Sequence, residues 1–335
     1  MSHTRVAFGL CGLVLSAALV PRSLHAADDG DGGRPHATFF TGVGLDNEDS
    51  RRFDLGMKLR SRRETTFELV GSRSDAEFDA ESFYSTVVRA DLSHDFGRFG
   101  LGGGVLHIRD EEVVETLGWS GSGALDFSDA RVTGRLEYRS SDFADSPFTA
   151  SGADLGLPAL QSVSGTAACS IASFGYRLGL NVFRGRASFY GSGAVFDYSS
   201  YECAADVQTL TPGSPAGPRA AILVRRPRLA RQLASSVINR RSGYSGTLAP
   251  SEATLLESSF TIGAGYALGS RTALGMELYR DTEEFAPVES STLLGYVELQ
   301  LSRTLAVEFT LGATDTAPLD SSVFAGVQVS ASLGK

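Results

Sequence analysis

Over the last third of the chain, apolar and polar residues alternate almost without interruption. Successive side chains of a strand point to opposite faces, so a sustained two-residue beat restricts the fold to sheet with one greasy and one wet side. Leu274, Met276 and Leu278 alternate with Glu277 and Tyr279. Leu293, Val297, Leu299 and Leu301 oppose Tyr296, Glu298 and Gln300, and Leu305, Val307, Phe309 and Leu311 oppose Glu308 and Thr310. The final stretch sets Val323, Ala325, Val327, Val329, Ala331 and Leu333 against Gln328, Ser330 and Ser332.

The N-terminus has the organisation of a secretion signal. Arg5 supplies a positive n-region, Val6 to Val20 form an uncharged apolar core, and Leu24-His25-Ala26 reads as a cleavage site. The expected organisation is a signal peptide over residues 1–26 and a single domain over 27–335. Removing Arg5 and Arg22, with no acid among those residues, takes the formal charge from −9 to −11. That acidity argues against a general nucleic-acid binder. An exported chain meets an oxidising compartment, so Cys169 and Cys203 are candidates for a disulfide.

Strand-like segments recur along the chain, joined by Gly, Asp, Asn, Ser and Arg at Asp46–Asp49, Asp95–Arg98, Gly269-Ser270 and Ser302-Arg303. Three stretches break the rhythm: Ser140–Leu160, Ser199–Leu256 with five prolines, and Asp281–Ser290. The segment Gln161–Ser173 is ambiguous. Counting it as a strand of its own makes the total odd, whereas a barrel with both ends on the periplasmic side needs an even number. Folding it into the preceding loop leaves fourteen strands, with long extracellular loops at 140–173 and 199–256. The expected fold is therefore all-β: a transmembrane antiparallel up-and-down barrel of about fourteen strands, twelve or sixteen being the alternatives. A soluble β-sandwich also alternates, but it carries its charges outside and its apolar residues within. Phe53, Phe67, Phe96, Phe99, Phe127, Tyr138, Phe189, Phe260 and Tyr266 fall near strand ends, as in the aromatic girdles of membrane barrels.

The tail from Leu294-Gly295-Tyr296 through Leu333, including Leu311-Gly312-Ala313-Thr314-Asp315-Thr316-Ala317-Pro318, resembles the closing hairpins of porin-like bacterial outer-membrane proteins. It is particularly similar to putative-transporter barrels linked to aromatic-compound degradation. The resemblance covers about forty residues and implies an outer-membrane channel. Such barrels commonly finish on an aromatic residue, whereas this chain reads Leu333-Gly334-Lys335.

On the wet face Asp54, Lys58, Arg131, Arg135, Glu137, Arg139, Glu277, Tyr279, Tyr296, Glu298, Gln300, Glu308 and Gln328 are expected to line the bore. Mixed charges across an aqueous passage screen solutes by charge and size; in a closed interior the same groups pair and stabilise the wall. A second cluster, Arg225, Arg226, Arg228 and Arg231, falls in the long loop. Guanidinium groups suit carboxylates and phosphates, so this loop either narrows the passage for anions or meets lipopolysaccharide phosphates. After the signal only His36, His94 and His107 remain, and His107 is in phase with Phe99, Leu101 and Val105, facing lipid near the rim. Neither a metal-ligand spacing nor a phosphate-binding glycine loop is present, and no cofactor is expected. The function implied is passive passage of small solutes. A non-conducting surface barrel whose loops bind a partner or lipopolysaccharide is the alternative, and a hydrolase at the lipid edge a third.

Overall fold

The computed structural model describes residues 35–46, 51–62, 64–78, 81–110, 114–151, 162–209, 220–224, 256–284, 289–317 and 321–333. Fifteen strands occur in it: β1 (His36–Asp46), β2 (Arg51–Arg60), β3 (Thr65–Phe78), β4 (Glu81–Asp95), β5 (Phe99–Asp110), β6 (Val114–Asp126), β7 (Ala130–Ser151), β8 (Ser162–Arg184), β9 (Ala187–Thr209), β10 (Ala220–Val224), β11 (Leu256–Ala267), β12 (Thr272–Glu283), β13 (Glu289–Gln300), β14 (Leu305–Ala317) and β15 (Ser322–Leu333). Each pairs antiparallel with its sequence neighbour, except that β9 pairs with β11 and β10 lies on β9 beyond that junction. The first and last strands close the sheet, from Ala37 opposite Leu333 to Asp46 opposite Phe324. The ring therefore holds fourteen strands, and β10 is an appendage.

Closure leaves no free edge in the ring, and the side chains sort by parity. Leu55, Leu178 and Leu311 point outward at 69, 70 and 63 % exposure. Arg52, Glu137, Arg139, Glu277 and Glu298 point inward and are buried. An exterior of exposed leucine, valine and phenylalanine around a charged interior inverts the order of a soluble sandwich. Backbone groups satisfied wholly between strands make such a sheet compatible with hydrocarbon. Among the described residues no helix is long and apolar enough to cross a membrane.

One end of the ring is made of tight turns. Gly97 and Gly185 adopt left-handed φ values of 78° and 62° in two of them, where a Cβ would be strained. The other end is extended. Ser140–Ser151 continues β7 and Ser162–Ser173 begins β8, so the outer loop expected over 140–173 is largely sheet. Likewise β9 runs on to Thr209, and β10 occupies part of the expected 199–256 loop. The reason lies in the alternation criterion. It registers a strand only where one face meets lipid, and beyond Asp142 and Asp197, both exposed and outward, the apolar set gives way to small and polar residues. Backbone pairing continues without it. These strands reach 22 and 23 residues, about twice the 9–11 that span a bilayer, so they project as a ribbon. Cys169 and Cys203 are directly opposite in the β8–β9 register of this ribbon and form a disulfide. The signal segment 1–26 and Arg225, Arg226, Arg228 and Arg231 lie outside the described residues.

Five inward aromatic rings each cover a glycine directly opposite on the adjacent strand: Phe40 on Gly56, Phe196 on Gly175, Tyr190 on Gly263, Tyr296 on Gly275 and Phe324 on Gly312. A Cβ at any of these glycines would come within 3.0 Å of its ring. The ring thus supplies the apolar cover that the glycine lacks, and lies flat against the wall rather than across the bore.

Candidate functional site

The inner wall is built from two unlike halves. On β4, β7 and β8 stand Arg89, Arg131, Arg135, Arg139 and Arg177. On the inner faces of β11–β15 stand Glu277, Asp281, Glu298 and Glu308, with no Lys or Arg among the described residues. In the ring β6 is seven strands from β14, so the two halves face each other across the bore.

The arginine-bearing half is organised by missing side chains. Along β5, Gly100, Gly102 and Gly104 leave the inner face bare, and Ser120 and Ser122 follow on β6. Asp91 and Glu137 sit at the two ends of one cross-strand row through Gly104 and Ser120; Ser93 and Arg135 end the next, through Gly102 and Ser122. Strands three apart are separated by about 14 Å, yet long side chains from β4 and β7 meet over this low floor. Arg135 donates to Asp91 at 3.1 Å, Asp91 also accepts from Arg89 at 2.5 Å, and Glu137 accepts from Arg139 at 2.5 Å. Arg131 reaches Asp95 at 3.3 Å and Asp126 at 3.5 Å. A Cβ on Gly104 would collide with the Asp91 carboxylate, and one on Gly100 with that of Asp95. Above the floor lies a recess of about 330 Å³, lined by Arg89, Arg131, Arg135, Arg177, Glu68, Asp91 and Asp95 together with Ser93, Ser122 and Thr133.

The acidic half is simpler. Glu298 and Glu308 are directly opposite on β13 and β14, and Gln328 is directly opposite Glu308 on β15. Tyr279 donates its hydroxyl to Glu277. Like charges in opposed register disfavour pairing, so this wall holds a negative potential rather than neutralising it.

All the residues expected from the alternation to line the bore lie on the inner face. Asp54 accepts from Arg52 Nε at 2.9 Å, Lys58 stands opposite Glu68, Tyr296 covers Gly275, and Gln300 donates to the Ser302 carbonyl at the turn end. Arg131, Arg135, Glu137 and Arg139 form one group; Glu277, Tyr279, Glu298, Glu308 and Gln328 form the other. Glu68, Arg89, Asp91, Asp95 and Arg177 were not among those expected. The signal for Arg89, Asp91 and Arg177 is present in Val88-Arg89-Ala90-Asp91-Leu92 and Tyr176-Arg177-Leu178-Gly179-Leu180, where charges alternate with lipid-facing residues. Outside the ring, His107 bonds Glu115 at 3.0 Å on the outer face, and His94 bonds Thr65 at 2.8 Å.

The fold and this surface define an antiparallel β-barrel of the outer-membrane type. No protein-family model matches the chain, and no curated protein does. Solved structures similar in fold include a loop-deletion form of OmpT, an outer membrane protein of Vibrio cholerae, at 9 % identity and TM-score 0.43, covering 89 % of this chain and 98 % of that one. Pseudomonas aeruginosa OccK10 (OpdN) matches at 10 % identity and TM-score 0.40, with 91 % and 99 % covered. The KdgM porin in complex with disordered oligogalacturonate matches at 10 % identity and TM-score 0.38, with 88 % and 98 % covered.

Proposed function

We propose that this protein is a porin-like channel of the bacterial outer membrane, giving passive passage to small hydrophilic solutes. The turn end faces the periplasm and the long ribbon faces outward, the usual arrangement of such barrels. The observation that carries the reading is the division of the inner wall into an arginine-bearing half and an acidic half. Ion-paired arginines on one wall and carboxylates on the other, whose described residues put no Lys or Arg on the inner face, make the bore polar and electrically asymmetric, which orients polar solutes and excludes apolar ones. No catalytic group or cofactor has a part in it.

Purified protein added to a planar bilayer should give discrete conductance steps; a silent bilayer would remove the channel from consideration. Replacing Glu277, Glu298 and Glu308 together by Gln should lower the preference for potassium over chloride, seen as a shift of the reversal potential in a salt gradient toward the chloride value. An unmoved reversal potential would mean that ions do not pass the acidic wall. The projecting β7–β8–β9 ribbon favours a second activity, the binding of a partner or lipopolysaccharide at the cell surface. Shortening the ribbon by deleting 144–168 and 204–209 would then abolish binding while conductance stays.

A further inference from the structure

We infer that the recess over the β5 glycines is a binding subsite for the carboxylate of a small, hydroxyl-rich solute, and that Arg177 is the residue that receives it. The assignment rests on the bore being a solute path, but it concerns one place on its wall. Of the four arginines lining the recess, three are engaged: Arg89 and Arg135 by Asp91, and Arg131 by Asp95 and Asp126. Arg177 makes no hydrogen bond or ion pair within 4.0 Å to a described residue; the carboxylate that acts on it from further away, Glu137, is already engaged by Arg139 and Arg135. It stands directly opposite Arg135 across β7 and β8, with the small Ala194 opposite on its other side. Two guanidinium groups in opposed register repel, and a shared anion between them relieves this.

The surroundings narrow the ligand further. Ser93, Ser122 and Thr133 offer hydroxyls along the floor, and the bare glycines expose backbone between them. Asp91 and Asp95 are occupied by arginines, whereas Glu68 at the far side, with Lys58 opposite it and Arg89 nearby, makes no hydrogen bond or ion pair within 4.0 Å to a described residue and can accept from a solute hydroxyl. The lining therefore offers a forked donor at one end and acceptors at the other. A volume of about 330 Å³ is at the small end of ligand pockets, roughly 300–1,000 Å³, and suits a compact sugar acid or hydroxy acid rather than a polymer.

Gluconate and sorbitol share a six-carbon hydroxylated chain and differ in the carboxylate, so they test this directly. Calorimetric titration of the detergent-folded full-length protein should give saturable heat with gluconate and none with sorbitol. Arg177→Gln should weaken gluconate binding by about tenfold or more, the usual loss for a charge-assisted pair. Arg177→Lys, which keeps the charge but not the fork, should fall between, and it decides the matter if Arg177→Gln fails to fold. Arg98→Gln, exposed at the turn end, should bind as the unaltered protein does. Absence of saturable heat in the folded protein, equal binding of sorbitol, or unchanged gluconate affinity in both Arg177 variants would overturn the assignment. The readout does not depend on conductance: binding without current sinks the channel alone, and current without binding sinks only this subsite.

Discussion

Replacing Gly312 with valine should destabilise the barrel by roughly 3 kcal/mol, the range for overfilling a packed site. Gly312 lies under the Phe324 ring, which is 1 % exposed and directly opposite it on β15. A side chain there must displace the ring into the bore or push β14 from β15. Phe324→Ala alone should also cost about 3–5 kcal/mol, from lost ring burial. The two changes share one space, so combining them should cost less than their sum, with a coupling of about 1–3 kcal/mol. Guanidinium unfolding of the protein folded into phospholipid vesicles measures all three. Gly121→Val is the control, since a Cβ on Gly121 meets nothing within 4 Å; its effect should be within about 0.5 kcal/mol. Strict additivity of the Gly312 and Phe324 changes would show that the ring does not cover the glycine.

The five ring–glycine pairs also show where sequence reading runs out. Alternation alone places Phe324 and Leu294 on the wet face, among residues expected to be polar, and gives no reason for them. The reason is a cross-strand partner distant in sequence, Gly312 for both Phe324 and Leu294, which appears only once register is known. Register also explains why the arginine cluster was half visible. Arg131, Arg135, Glu137 and Arg139 alternate within one strand and could be read from it. Asp91, the partner of Arg135, lies on β4, brought within reach because Gly102 and Gly104 on β5 hold the space open. Taken singly, glycines inside a strand indicate only curvature or close packing.

Parity within a strand was the most legible quantity, because lipid outside and water inside act on every residue of the belt. That pressure stops at the rim, and so did the reading. The ring of fourteen and the inward positions of Glu277, Glu298 and Glu308 follow from the beat, whereas the extension of β7, β8 and β9 beyond Asp142 and Asp197 is held by backbone pairing that leaves no apolar trace. Of the segment Gln161–Ser173, the described part Ser162–Ser173 is strand, but it begins β8 rather than forming a separate crossing, so the even count survives.

Arginine in place of Leu311 should cost about 2–4 kcal/mol, the penalty for a cation at the midplane of a membrane barrel. Leu311 lies at the middle of β14, points outward and is 63 % exposed, so in water the same change would be nearly neutral. Ser192→Arg supplies the contrast: Ser192 is on the inner face of β9, where an aqueous bore solvates the charge and the cost should stay within about 1 kcal/mol. Unfolding in vesicles of both variants, against the same pair in detergent of short chain length, separates depth in the bilayer from local packing. The penalty at Leu311 should also fall for Val323→Arg, placed nearer the outer rim beside Ala313, because the hydrocarbon thins toward the interface. A neutral Leu311→Arg together with a costly Ser192→Arg would put water outside and a dry core within, and neither the charged bore nor the arginine recess could then serve a solute.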